Sequence, residues 1–449
     1  MSAVDAFSPR RVEPRTLAAA LATSAALVLL ALVMALALYR FPPSWATVLL
    51  VGLGMLGLLA LALARYEAAV ALGFLLFGVV AVEPAPPDGV FAVVIVVSLL
   101  TGRFSLSRVP LSIFALLGAF IFLNFLSAIE AIDPAAAARF MTITIYLAVF
   151  AVWFTSYLIS ERRARNVVRA YVGPAVLFGL LASLALFVPI PGADQLLHYK
   201  GTRATGLFED PNVFGPFLIP AALILLEDTL TPRLLHSSRT MKMVMFLILT
   251  SGVLFSYSRA AWANYLVAVV CLLVILAVRR GGGRKAVAVL ALLFVTGLGV
   301  AGTLAVTGSV GFLEDRARFQ SYDIERFGAQ RTGIELAERY PVGIGPGQFE
   351  VVVPISTHST YVRALAEQGV LGMIVIIALF LATFLFAARN AVLGRDSYGI
   401  GSAALLAAWV GLMINSFVVD TLHWRHLWFV AALIWVGAMR PRTEWAALR

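Results

Sequence analysis

Residues 359–388 read STYVRALAEQGVLGMIVIIALFLATFLFAA, and no charge interrupts the stretch from Val370 to Ala388. About 20 consecutive apolar residues in a helix cross the hydrocarbon of a bilayer, so this stretch predicts a membrane span. Runs of the same kind recur on both sides of it, bounded by charges or Pro. They lie at 16–39, 44–64, 67–82, 89–102, 109–129, 138–159, 167–189, 211–227, 241–257, 260–278, 286–307, 398–419 and 424–439. The runs at 67–82 and 89–102 are short, and Glu83-Pro84-Ala85-Pro86-Pro87-Asp88 separates them. They read as two thin spans or as a re-entrant pair. The first run follows the polar segment Met1–Arg15, lacks a convincing small-residue cleavage site, and is expected to be a retained helix.

Composition agrees. Of the 449 residues, 61% are hydrophobic and 13% charged, about half the charge of an ordinary soluble domain. So apolar a chain cannot hide its surplus in one water-soluble core, which excludes a soluble enzyme, a disordered chain and a disulfide scaffold. The single Cys271 excludes an intrachain disulfide. The expected fold is therefore all-α, a polytopic transmembrane bundle of about 12–14 spans.

Charge sets the expected orientation. Numbering the loops alternately gathers the N-terminus, Arg65, Arg103/Arg108, Arg162–Arg169, Arg233–Lys242, Arg279–Lys285, Arg389/Arg395 and the C-terminal tail on one side. That set holds 22 of the 34 Lys and Arg residues, which predicts that both termini face the cytoplasm. The net charge of +10 follows from these loops and does not call for nucleic acid. Two loops on the opposite side are long. One runs from Pro189 to Asp210, the other from Thr307 to Ser359, and long ordered connections usually serve function. Within the second, Ser321–Tyr340 reads as an amphipathic helix. Ile324, Phe327, Ile334, Ala337 and Tyr340 recur at helical spacing, and Glu325, Arg326, Arg331, Glu335, Glu338 and Arg339 fill the other side. Such a helix would lie on the outer leaflet or roof a cavity.

Three polar stretches share this outer face: Lys200–Gly215, Ser256-Tyr257-Ser258-Arg259, and Gly343–Gln348 through His358-Ser359-Thr360-Tyr361. Arginine carries a permanent charge in a planar fork that matches phosphate oxygens. Arg259 sits on a very short turn beside hydrocarbon, where an unpaired charge costs several kcal/mol, so a carboxylate or an anionic ligand should compensate it. Glu209 and Asp210 are candidate carboxylates. His358 stands beside the start of a span, where the helix N-terminus disfavours imidazolium and keeps the ring a base. That suits removal of a proton from a hydroxyl nucleophile; His198, His423 and His426 share the outer face and compete for the role.

Arg363 and Glu367 lie four residues apart, as a mutual ion pair or as direct participants. Gly343, Gly345 and Gly347 either present backbone N–H groups to phosphate or form a plain tight turn. No Asp-x-Asp pair, Walker A loop or His-Glu-x-x-His segment is present, so neither a metal nor another cofactor is expected.

These residues resemble the O-antigen ligase and O-antigen polymerase family of bacterial membrane glycosyltransferases. The resemblance is carried by Arg203 with Gly206-Leu207-Phe208-Glu209-Asp210-Pro211-Asn212, by Ser258-Arg259-Ala260, by Gly343-Ile344-Gly345-Pro346-Gly347, by His358-Ser359-Thr360-Tyr361, and by Glu367–Gly372. It implies a GT-C-type fold with residues 1–190 as a scaffold and 191–449 as the catalytic region, including a periplasmic loop at 308–358. It implies a polyprenyl-diphosphate-linked oligosaccharide donor, a glycan or lipid-core acceptor, no metal, inversion at the anomeric carbon, and a place in the bacterial inner membrane. Arg203 and Arg259 would grip the diphosphate and His358 would activate the acceptor. Glu209, Asp210, Asn212, Ser258, Tyr361, Arg363 and Glu367 would line the substrate site. Family ligases often carry His-Asn where this chain has His358-Ser359, which favours a polymerase over a ligase. The alternative class is a transporter or lipid-linked-glycan flippase, which would place its polar groups near the bilayer midplane, often in inverted repeats.

Overall fold

The computed structural model describes residues 45–198, 201–278, 282–308 and 320–440, with isolated positions between 308 and 320. The expected span at 16–39 lies outside the described residues, as do Lys200, Arg279 and Arg280. Each of the other expected spans coincides with a helix. In chain order these are α1 (Trp45–Ala64), α2 (Tyr66–Leu75), α3 (Pro86–Leu100), α4 (Leu111–Ser127), α5 (Pro134–Tyr157), α6 (Glu161–Ala185) and α7 (Pro211–Leu230). After them come α8 (Arg239–Phe255), α9 (Arg259–Val278), α10 (Gly283–Val306), α11 (Ser321–Arg339), α12 (Phe349–Val352), α13 (Thr360–Leu393), α14 (Ser402–Asn415) and α15 (Arg425–Met439). Among the described residues, seven helices are long and apolar enough to cross a membrane by length and composition, and five shorter ones are apolar. The chain is an all-α, multi-pass membrane protein.

The described residues pack as two units. One holds residues 45–73 and 82–105; the other holds 74–81 and 106–440. In the first, Gly73 lets its backbone approach the Phe91 ring, where a Cβ would overlap. The run expected at 67–82 yields only the ten-residue α2, which at 1.5 Å per residue covers about half the hydrocarbon thickness.

In the second unit, Phe74 and Phe77 lead into a buried aromatic hub. Phe74 stands 5.3 Å from both Phe154 and Phe429, and Phe77 meets Tyr171 at 6.0 Å and Phe217 at 6.2 Å. Tilted and edge-on rings at these separations join α5, α6, α7 and α15 beyond simple area burial. Helix α7 is buried nearly all round, whereas α10 presents Val287, Leu290, Phe294, Val295 and Leu298 outward as a lipid-facing surface would.

One long span is broken. Gly369, inside α13, has φ 72° and ψ −173°, so the run from Thr360 to Leu393 is two helices meeting at a kink. The break frees carbonyls that a continuous helix would engage. Ala366 O accepts from Ile344 N at 2.9 Å, and Glu367 O from Gly345 N at 3.0 Å. Only glycine fits on both sides of this contact. A Cβ on Gly369 would overlap the Pro341 carbonyl oxygen, and one on Gly343 would overlap the Glu367 carbonyl.

Candidate active site

The connection before α7 forms a small hairpin, Leu197–His198 paired antiparallel with Arg203–Ala204, with Gly201 in the turn at φ 84°. The hairpin turns Arg203 inward, where the residue is 4% exposed. Its Nε donates to Ser256 O at 2.9 Å and one terminal nitrogen to Asn212 Oδ1 at 3.3 Å. Ser258 Oγ donates to the same Asn212 oxygen at 2.7 Å. Asp210 caps α7 by accepting from Asn212 N at 2.8 Å, which fixes Asn212 for both donors. Arg203, Asp210, Asn212 and Ser258 thus form one cluster although 46 residues separate the last two. Glu209 is exposed at its edge.

Arg259 opens α9 and reaches the amphipathic helix, which runs Ser321–Arg339. Its guanidinium donates to Arg318 O at 2.9 Å and Tyr322 OH at 2.7 Å, and pairs with Asp323 at 2.5 Å. The compensating carboxylate is therefore Asp323, not Glu209 or Asp210. Burial works against ionisation of Asp323, but the Arg259 guanidinium holds its carboxyl below the usual carboxylate range. The Arg259 side chain keeps 27% of its surface exposed.

His358 has φ 47°, uncommon for a residue with a Cβ, and directly precedes Ser359, whose side chain caps α13 through Val362 N at 3.4 Å. Helix α11 also holds this corner: Gln330 Nε2 donates to the carbonyls of His358 at 3.3 Å and Phe417 at 3.2 Å. The His358 imidazole pKa is pushed down to about 4, first by burial and then by the Arg326 guanidinium, with Asp210 opposing. It is therefore a neutral base near pH 7. His423, a competitor for the role, is also pushed down to about 4 by burial, but its Nε2 bonds Thr144 Oγ1 at 2.9 Å.

Behind His358, a hydroxyl network ties α13 to the end of α14. Thr360 N donates to Ser416 O at 3.0 Å, Thr421 N donates to Thr360 Oγ1 at 2.8 Å, and Ser416 Oγ meets Thr421 Oγ1 at 2.6 Å. Arg363 lies in a cage of three carboxylates. It pairs with Glu367 at 2.9 Å, with Asp420 at 2.6 Å and bidentately with Glu350. Burial works against the Glu350 anion, but Arg363 holds its carboxyl below the usual range.

Glu367 is fully buried and accepts from Gly347 N at 2.8 Å and Phe349 N at 3.2 Å. With Gly343 N bonded to Tyr340 O at 2.9 Å, the glycine-rich loop turns its amides into the protein; it is a tight turn and not a phosphate cradle. Tyr361 likewise packs on Phe417 at 4.5 Å and donates to Met413 O at 3.0 Å. The structure therefore gathers Arg203, Asp210, Asn212, Ser258, Arg259 and His358 with the amphipathic helix, and turns Tyr361, Arg363 and Glu367 toward internal contacts. Two side chains at this corner escape the sequence reading. Glu350 gives no periodic or motif signal, and Arg326 looks like one more charge on a solvated helix face.

Residues 244–377 match the family model of the O-antigen ligase. This matched region is similar to the O-antigen ligase family. It contains Ser258, Arg259, the amphipathic helix, His358, Arg363 and Glu367, while Arg203, Asp210 and Asn212 precede it. No curated protein matches the chain. The match supports membrane glycan transfer of the O-antigen ligase and polymerase type in general.

Proposed function

We propose that the protein transfers glycan from a polyprenyl-diphosphate-linked donor to an acceptor hydroxyl at the periplasmic face of a bacterial inner membrane. Lengthening an O-antigen or exopolysaccharide chain is favoured over capping a lipid core. The observation that carries this reading is the meeting of three elements around one polar corner: the Arg203 hairpin, the Arg259 turn held by the amphipathic helix, and neutral His358 beside that same helix.

The chemistry follows from these groups. The acceptor hydroxyl attacks the anomeric carbon, its oxygen forms the new bond, and its proton passes to the His358 imidazole. The bond to the phosphate oxygen breaks from the opposite side, which inverts the anomeric centre, and its electron pair leaves on the diphosphate. Preorganised guanidiniums stabilise this growing charge most where water is scarce. Arg203 and Arg259 take the role that a divalent metal takes in other glycosyl transfers. Asn212 and Ser258 position Arg203, and Asp210 caps α7 beneath them.

The test uses the purified full chain with a lipid-linked oligosaccharide donor. His358→Ala and Arg259→Ala are each expected to lower transfer by at least about a hundredfold while the protein elutes and melts as wild type. A chelator is expected to leave the wild-type rate unchanged. Full activity in either variant overturns the proposal.

A further inference from the structure

Arg326 differs from the other arginines of this corner. Arg203, Arg259 and Arg363 each hold hydrogen-bond or carboxylate partners, whereas Arg326, among the described residues, makes neither a hydrogen bond nor an ion pair. Its guanidinium lies 5.3 Å from the centre of the Tyr322 ring, and the Arg259 guanidinium lies 5.4 Å from the centre of that same ring. One aromatic side chain therefore spaces two cations, and Asp323 is the carboxylate that pairs with the first. Arg326 is half-buried on α11, one turn from Gln330, which holds the His358 carbonyl. Asp323, which pairs with Arg259, also feels the Arg326 charge, so one carboxylate faces two guanidiniums and an added anion would offset the remaining positive charge. An anion with two charged centres matches two forks better than a single phosphate does.

We infer that Arg326 is a further phosphate-binding residue of the site, which together with Arg259 makes the amphipathic helix a reader of diphosphate over monophosphate. This inference rests on the proposed glycan transfer and deepens it. Arg259 holds one phosphate while Arg326 holds the other on the His358 side. As the anomeric carbon–oxygen bond breaks, the electron pair arriving on the diphosphate strengthens both contacts. After transfer, the same pair retains the diphosphate product, so Arg326 also contributes to discrimination against polyprenyl monophosphate.

The test measures binding of undecaprenyl diphosphate and of undecaprenyl monophosphate to the purified full chain in nanodiscs, for wild type, Arg326→Ala, Arg326→Gln, Arg326→Lys and Arg259→Ala. Loss of one charge-assisted contact predicts about tenfold or more weaker diphosphate binding in Arg326→Ala and Arg326→Gln. Monophosphate binding should change little and Arg326→Lys should fall between. A second readout separates this role from a structural one. His358 faces Arg326 from α11, Asp210 from the cap of α7, Glu350 from α12 and Arg363 from α13. Removing the Arg326 charge should move the acid limb of the pH–transfer profile upward.

Diphosphate binding in Arg326→Ala and Arg326→Gln equal to wild type, or an equal loss of both lipids, overturns the inference while leaving glycan transfer standing. Failure of the wild type to bind or transfer from a diphosphate lipid overturns the proposed function itself.

Discussion

Where the connections after α7 and α13 meet, every buried charge has an opposite. Asp228 pairs with Lys242 at 2.6 Å and also accepts from the backbone N–H groups of Arg233, Leu234 and Leu235. Asp396 takes Arg233 at 2.9 Å and Arg440 at 2.5 Å, and Glu227 accepts from Ala404 N at the start of α14. At the candidate active site, Arg203 donates to a carbonyl and an amide oxygen, and Arg326 faces an aromatic ring without an ion pair among the described residues. The first end closes its electrostatics within the fold and acts as a clasp. The second leaves the Arg326 guanidinium over an aromatic ring, which favours an anionic ligand there. Buried pairs contribute little net stability against well-packed apolar groups, yet breaking one is costly. Disrupting the two ends should therefore have different signatures.

The largest separation is expected from His358→Ala, which should reduce glycan transfer by about a hundredfold to ten-thousandfold with no change in melting temperature. Asp228→Ala should do the reverse. It leaves Lys242 buried without its partner and should destabilise the protein by about 3–5 kcal/mol, read as a lower melting temperature in detergent. Transfer per folded molecule should hold. If Asp228→Ala abolished transfer in well-folded protein, the division between clasp and site would fail.

Gly369→Ala tests the link between the broken span and the candidate active site. A side chain at φ 72° against the Pro341 carbonyl should cost about 1–3 kcal/mol. It should also reduce transfer, because the loop that holds Glu350 docks on this break. Equal stability and activity would show that the break is incidental.

The smallest effect is on pH dependence. With the His358 pKa pushed down to about 4, the imidazole binds a proton, and transfer falls, only as the pH drops through about 4. An unperturbed histidine would lose transfer near pH 6.5. An acid limb at that ordinary position would show that His358 is solvated and not held as described.

The helices were legible because lipid-crossing runs leave little ambiguity: each described apolar run became a helix. The break at Gly369 was hidden inside such a run, since glycine is ordinary in membrane helices and its consequence depends on Pro341, distant in sequence. At the site, Arg203, Arg259 and His358 stood out because charge and imidazole are scarce beside spans. Their partners did not. Asp323 lies 64 residues from Arg259, and Glu350 meets Arg363 from across a turn. Glu367 looked equally fit for catalysis and for structure, and only its bonds to Gly347 and Phe349 show that it anchors the loop.

The most direct test of the shared diphosphate site is a structure of the full chain in a nanodisc with bound undecaprenyl diphosphate. The account predicts the phosphates within salt-bridge distance of Arg259, with Arg203 and His358 lining the same cavity. Phosphates bound at the clasp end, or at a corner that these three side chains do not line, would contradict it.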